Sequence, residues 1–251
     1  VSEKYELLLD ESIEFLGQKL FRIRAKAAFS IVAEGEKGGY VAAEKNLSQE
    51  GNAWVFGNAR IFGNARIFGD ARVFGDAEVF GDAEVFGNAR ISGNAWVFGN
   101  ARVFGDAEVF GDAEVFGNAR ISGNAWVFGN ARIFGDARVF GDAEVFGDAE
   151  VFGNARISGN ARIFGNARVF GDARISKTSD ILVVGPVGSR DGYLTIIVPS
   201  GQAATGCFCG SLDELEKAAT EKQRQDYLDL LPAIRAIVAR RQQARIQEAS
   251  Q

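Results

Sequence analysis

From Gly51 to Ser176 one six-residue unit, G-[ND]-A-x-[VI]-[FS], recurs twenty-one times without an insertion. A period that short cannot bury its apolar side chains alone, so each unit must stack on its neighbours. Ala and Val/Ile stand two apart and share one side of an extended backbone, while the residue between them points the other way. Gly-Asn or Gly-Asp supplies the bend. The repeat therefore predicts a solenoid of short strands with a thin core of Ala and Val/Ile columns.

A hexad with a small residue two places before an aliphatic one resembles the hexapeptide-repeat family of left-handed β-helices, and the likeness spans residues 51–176. The resemblance implies three hexads per triangular coil and left-handedness. The expected fold is an all-β solenoid, a left-handed parallel β-helix of about seven coils, with an N-terminal β-hairpin cap and a C-terminal αβ cap. At about 4.8 Å per coil the stack would measure roughly 34 Å. The expected divisions are 1–50, 51–176 and 177–251. Gly38-Gly39-Tyr40-Val41 and Asn46-Leu47-Ser48, ahead of Gly51-Asn52-Ala53-Trp54-Val55, resemble bacterial and prophage members often labelled transferases.

Composition limits the chemistry. The chain of 251 residues carries 28 Lys plus Arg against 33 Asp plus Glu, a net charge of −5 that argues against nucleic-acid binding. No run approaches the roughly 18 apolar residues of a membrane span, and VSEKYELLLDESIEF is too charged for a signal peptide. The expectation is a cytoplasmic protein. There is no histidine, which excludes an imidazole base, an imidazole metal ligand and a Ser-His or Cys-His pair. Acyltransferases resembling this repeat use a histidine base, so acyl transfer would need an atypical site. No cofactor or metal site is expected.

Positions eighteen apart fall in columns. Phe62, Phe80, Phe98, Phe116, Phe134, Phe152 and Phe170 form an unbroken one. It reads either as an aromatic ladder that stiffens a corner or as an apolar stripe for self-association or a protein partner. Arg60, Glu78, Trp96, Glu114, Arg132, Glu150 and Arg168 alternate in charge, whereas Arg66, Glu84, Arg102, Arg120, Arg138, Arg156 and Arg174 are mostly basic and suited to an acidic partner. The block GDAEVFGDAEVFGNARISGNAW begins at Gly75 and again at Gly105, a shift that is not a multiple of eighteen. Its two copies fall on different faces, so the repeats look interchangeable and a dedicated catalytic face is disfavoured. Deleting six or twelve residues is expected to be worse tolerated than eighteen, because the cap would meet another face.

At the front, residues 12–29 read as a hairpin turning near Gly17. At the back, strands are expected at 181–184 and 193–198. Ser211 and Glu214 have capping-box spacing, and Pro232 starts or kinks a second helix whose apolar face holds Leu228, Leu231, Ile234, Ile237 and Val238. GSRDG and GCFCGSLDEL resemble the C-terminal part of phage-associated hexapeptide-repeat proteins. Arg190 in the Gly-rich turn is a candidate for holding a small anion. Cys207 is a candidate reactive thiol beside a helix N-terminus, against the plainer reading of a cysteine buried where strand meets helix. The functional expectation is a structural or binding solenoid that shows its Phe and charge ladders to a second copy or a protein partner.

Overall fold

The computed structural model describes residues 3–188 and 192–250. Each hexad contributes a two-residue strand, from Trp54–Val55 to Arg174–Ile175, and strands eighteen residues apart pair in parallel. Three parallel sheets result, one per face of the coil. The backbone repeats its bonding rung by rung: Asn94, Trp96 and Phe98 N–H groups donate to the carbonyls of Gly111, Ala113 and Val115 at 2.8, 2.9 and 2.9 Å. This is the β-solenoid expected from the repeat, with a small antiparallel sheet and helices behind it.

Alternation in the hexad becomes burial. Every repeat alanine from Ala53 to Ala173 and every repeat Val or Ile from Val55 to Ile175 is at most 2 % exposed. Each buried Val or Ile contributes about 1.5–3 kcal/mol, so the core is a sum of equal small terms. The corners explain the glycine. Gly93 sits at φ 70°, and a Cβ on it would come within 2.8 Å of the Gly111 carbonyl oxygen one rung on. Both backbone twist and rung spacing exclude a side chain there.

The N-terminal cap is a hairpin of β1 (Tyr5–Phe15) and β2 (Gln18–Ala25), joined through Leu16 and Gly17 at φ 47° and 73°. Such a left-handed pair matches the twist of a two-residue hairpin. Strand β3 (Lys37–Val41) bonds β2 on one side and the first strand of a solenoid face on the other, with Val41 over Ile61. Leu47 bridges to Ile67, so residues 37–50 lay down an incomplete coil ahead of Gly51. Gly38 and Gly39 let it approach: a Cβ on either would meet Val55 or Ala59 carbonyl oxygen at 2.5 or 2.6 Å.

Buried polar groups stop both ends of the stack. Asn46, which closes the short turn Glu44–Asn46, accepts from Ala43 N–H at 2.9 Å and donates to the carbonyls of Gly63 and Ala65 at 3.2 and 2.8 Å. Lys4 donates to the carbonyls of Glu50, Gly51 and Ala53 at 3.5, 3.4 and 2.9 Å. Burial pushes the Lys4 ammonium from 10.5 down to about 8, with the Asp70 charge opposing it. Between those two values the unfolded chain holds a proton that the folded chain has released, so stability rises with pH across that window. Thermal melts of wild type and Lys4→Met should therefore diverge in favour of wild type from pH 8 to 10.5, by on the order of 2 kcal/mol. A gap that does not change with pH would remove Lys4 from the cap's energetics.

At the far end, Thr178–Asp180 repeats the device. Behind it an antiparallel sheet runs Ile181–Val187, Gly192–Ile197, Gln202–Thr205 and Phe208–Ser211, the last two strands being absent from the sequence expectation. Helix α1 (Leu212–Glu221) opens with the capping box: Glu214 N–H donates to Ser211 Oγ at 3.2 Å and Ser211 N–H to Glu214 Oε2 at 2.7 Å. Helix α2 (Gln225–Ala249) begins seven residues ahead of Pro232 and continues through it, so the proline does not start it. Leu231, Ile234 and Val238 pack with Leu194, Ile196 and Leu215 in a second core.

Candidate binding faces and the C-terminal cavity

The sixth residue of each hexad stands at a corner, and where Phe follows Phe eighteen residues on, the two rings stack. From Phe62 through Phe80, Phe98, Phe116 and Phe134 to Phe152, ring centroids are 4.8–5.0 Å apart with planes 1–5° from parallel. Phe152 and Phe170 follow at 6.1 Å, and Phe15 of the hairpin closes the other end edge-on against Phe62 at 5.8 Å. Stacking leaves the interior rings half-buried, while Phe62 and Phe170 are buried at the ends. The second corner is interrupted at Ser92. The third keeps Phe68, Phe86 and Phe104, then carries Ser122, Phe140, Ser158 and Ser176.

The fourth position gives the three faces different electrostatics. On the first, Arg60 pairs with Glu78 at 3.2 Å, Arg132 with Glu114 at 3.2 Å and Arg168 with Glu150 at 2.9 Å. Glu78 is buried, and that burial raises its carboxyl pKa against the pull of Arg60. The second face pairs Arg90 with Glu108 at 3.4 Å and Arg162 with Glu144 at 3.0 Å. Exposed pairs of this kind each stabilise by only about 0.2–1 kcal/mol. Trp96 and Trp126, on different faces as the duplication shift requires, are 43 % and 46 % exposed. Trp54, at the same hexad position, is instead fully buried because Tyr5 and Phe29 of the cap pack against it edge-on. The third face, from Arg66 to Arg174, has a single glutamate, Glu84, which takes Arg66 at 3.8 Å and Arg102 at 2.5 Å.

Asn and Asp alternate from coil to coil. Asn52 donates to Asp70 at 2.6 Å, Asn94 to Asp112 at 2.9 Å and Asn130 to Asp148 at 2.9 Å. An amide donor below each carboxylate avoids stacking like charges one rung apart. Asn118 is the exception: it follows Asn100 rather than another aspartate, at 3.2 Å, before donating to Asp136.

A cavity of about 330 Å³ lies between the C-terminal sheet and its helices, walled by Val187, Phe208, Leu215 and Ala219, with Lys222 and Cys207 in its lining. Thr205 and Tyr227 hydroxyls bond each other at 2.9 Å within it. Cys207 sits in the turn between the last two strands, and both it and Cys209 are free and exposed, which overturns the expectation of a buried cysteine at the strand–helix junction. Desolvation raises the Cys209 thiol pKa, opposed by Arg168, the reverse of what an activated thiol needs. Arg190 lies outside the described residues. Among the described residues no group of three or more Cys, Asp or Glu is placed to hold a metal ion, and no helix is long and apolar enough to cross a membrane.

Sequence columns located the Phe ladder and the basic face. The alternation of Asn with Asp was legible as well, since long runs of ionised Asp would repel, and the structure shows it as amide-to-carboxylate bonds. Nothing in the sequence marked the contact of Thr205 with Tyr227, which depends on how helix and sheet close.

The family model described as YdcK Beta solenoid repeat matches residues 59–75, 155–169 and 161–177, in the repeat and one residue past its end. The chain is thus similar to a β-solenoid repeat family over part of its coils. No curated protein matches it.

Proposed function

We propose that this protein is a non-enzymatic binding solenoid, a rigid rod whose Phe and charge ladders serve self-association or docking of a protein partner. The observation that supports this most is the near-equivalence of the rungs: the outward side chains fall in columns eighteen residues apart, and the one from Phe62 to Phe170 is unbroken. The likeness to labelled transferases adds little, because the chain has no histidine for their usual base. GSRDG and GCFCGSLDEL favour a phage or prophage origin.

Sedimentation of wild type and of a Phe98→Ser/Phe116→Ser variant tests the reading. Serine already occupies this hexad position elsewhere, so the variant should fold, losing about 1 kcal/mol per broken stack. The wild type is expected to assemble and the variant to remain monomeric. Equal assembly of both would remove the ladder as the contact surface. A second reading rests on the C-terminal cavity: its apolar walls and Lys222 suit a small ligand with an apolar body and one anionic group.

A further inference from the structure

The third face stacks arginine on arginine. Arg102, Arg120, Arg138, Arg156 and Arg174 occupy successive rungs in register. All five are exposed. Only Arg102 is neutralised, by Glu84; among the described residues the guanidinium groups of the other four have no ion pair and no side-chain hydrogen bond. Like charges directly opposed on neighbouring strands destabilise a sheet. The first face avoids this by interleaving Glu and the second stacks only Arg72 on Arg90, while the chain as a whole is net acidic at −5, so the strip is a local concentration of positive charge.

A groove of about 530 Å³ follows this ladder, lined by Arg102, Arg120 and Arg138 together with two Asn side chains and the carboxylates of Asp82, Glu84 and Asp136. The run Asn100–Asn118 is where the corner skips an aspartate, which thins the negative charge opposite the arginines. Three of the four sixth-position serines, Ser122, Ser158 and Ser176, stand on this face beside Arg120, Arg156 and Arg174.

These features select among polyanions. Single-stranded nucleic acid draws on aromatic platforms for its bases, and serine replaces phenylalanine beside three of the arginines. Inorganic polyphosphate has no hydroxyl to donate to the carboxylates of Asp82 and Asp136 that also line the groove. A chain of hydroxyl-bearing rings with carboxylates at intervals meets neither objection. Guanidinium forks take carboxylates in two-point contacts, and Asn and Asp side chains exchange hydrogen bonds with hydroxyls. We infer that the arginine face binds an acidic polysaccharide lying along the solenoid axis, uronate carboxylates on the arginines and ring hydroxyls on the Asn and Asp side chains. The inference rests on reading the solenoid as a binding rod and names what one of its faces takes.

Calorimetry of the whole chain with a polygalacturonate oligomer tests it, beside a neutral galactan oligomer, oligo-dT and inorganic polyphosphate. Polygalacturonate should bind, more weakly as salt rises, and the other three should bind at least about tenfold more weakly. Arg120→Gln/Arg138→Gln/Arg156→Gln should lose at least about tenfold in affinity while melting no lower than wild type, because it relieves like-charge stacking. Arg90→Gln/Arg162→Gln, on the second face, should bind as wild type does. A folded wild type that ignores polygalacturonate, prefers oligo-dT or polyphosphate, or is unaffected by the triple substitution overturns the assignment. Assembly measured separately by sedimentation would then show whether the binding-rod reading survives without it.

Discussion

Removing one whole hexad from the middle of the solenoid, Gly111–Phe116, is expected to cost about 1 kcal/mol and a few degrees of melting temperature. Removing half a hexad, Glu114–Phe116, should cost more than about 4 kcal/mol or split the unfolding transition. The difference follows from the rung. After loss of a hexad, Arg102 would stack on Trp126 and Glu108 on Arg132, with every glycine still at a corner and every Ala and Val/Ile still in a core column. After loss of three residues, Gly117 with its φ of 69° reaches a strand position, and the coil cannot close over Val97. Sequence alone put the penalty elsewhere, on a cap meeting the wrong face. The contacts argue otherwise. The N-terminal cap holds the first coils, through Leu47 over Ile67 and Arg72 to Ser30 at 3.3 Å, and the C-terminal cap holds the last, through Arg168 N–H to Thr195 Oγ1 at 3.0 Å. Each cap rotates with its own coil, so an interior deletion leaves both seated. Circular-dichroism melts of the two deletions check this, and equal melts would contradict a six-residue unit.

Asp180→Ala should be the most damaging single substitution at the C-terminal end, at about 3–5 kcal/mol. The side chain is fully buried, and its Oδ2 accepts from the backbone N–H groups of Ser176 and Lys177 at 2.8 and 3.1 Å. Its Oδ1 pairs with Arg245 of α2. Arg241 of the same helix donates to the Ile181 carbonyl at 2.9 Å and Gln242 to the Val198 carbonyl at 2.7 Å. Asp180 is therefore the point at which the last coil, the antiparallel sheet and α2 meet. Alanine leaves two backbone N–H groups and one guanidinium without their acceptor. Asn at this position restores an acceptor for the backbone and loses the ion pair, so Asp180→Asn should fall between wild type and alanine in a denaturant titration. Identical losses for Asn and Ala would place the whole effect in the charge.

How legible each part was depended on whether its causes were local. Gly, Asn/Asp, Ala and Val/Ile have one role each in the hexad, and the repeat states that role twenty-one times, so strands, corners and core could be read directly. The Gly17 turn and the Ser211–Glu214 box were legible for the same reason. Asp180 and Lys4 were not, because Arg245 lies 65 residues from Asp180 and the carbonyls that Lys4 reaches lie 46 to 49 residues away. Trp54 was expected on the surface with its fellow tryptophans, and only the packing of Tyr5 and Phe29 buries it. Of the candidate sites, the Phe and Arg columns follow from the eighteen-residue coil, but the cavity beside Cys207 depends on how two helices close over a sheet.

Native mass spectrometry of the protein recovered from cells, followed by incubation with acetyl-coenzyme A and a mixture of amine and hydroxyl acceptors, tests the central claim that this solenoid binds without catalysing. The predicted result is an assembly or a complex with protein or glycan, free of coenzyme A, that releases no thiol. Stoichiometric coenzyme A on the chain, with thiol released in step with an acylated product, would contradict the account.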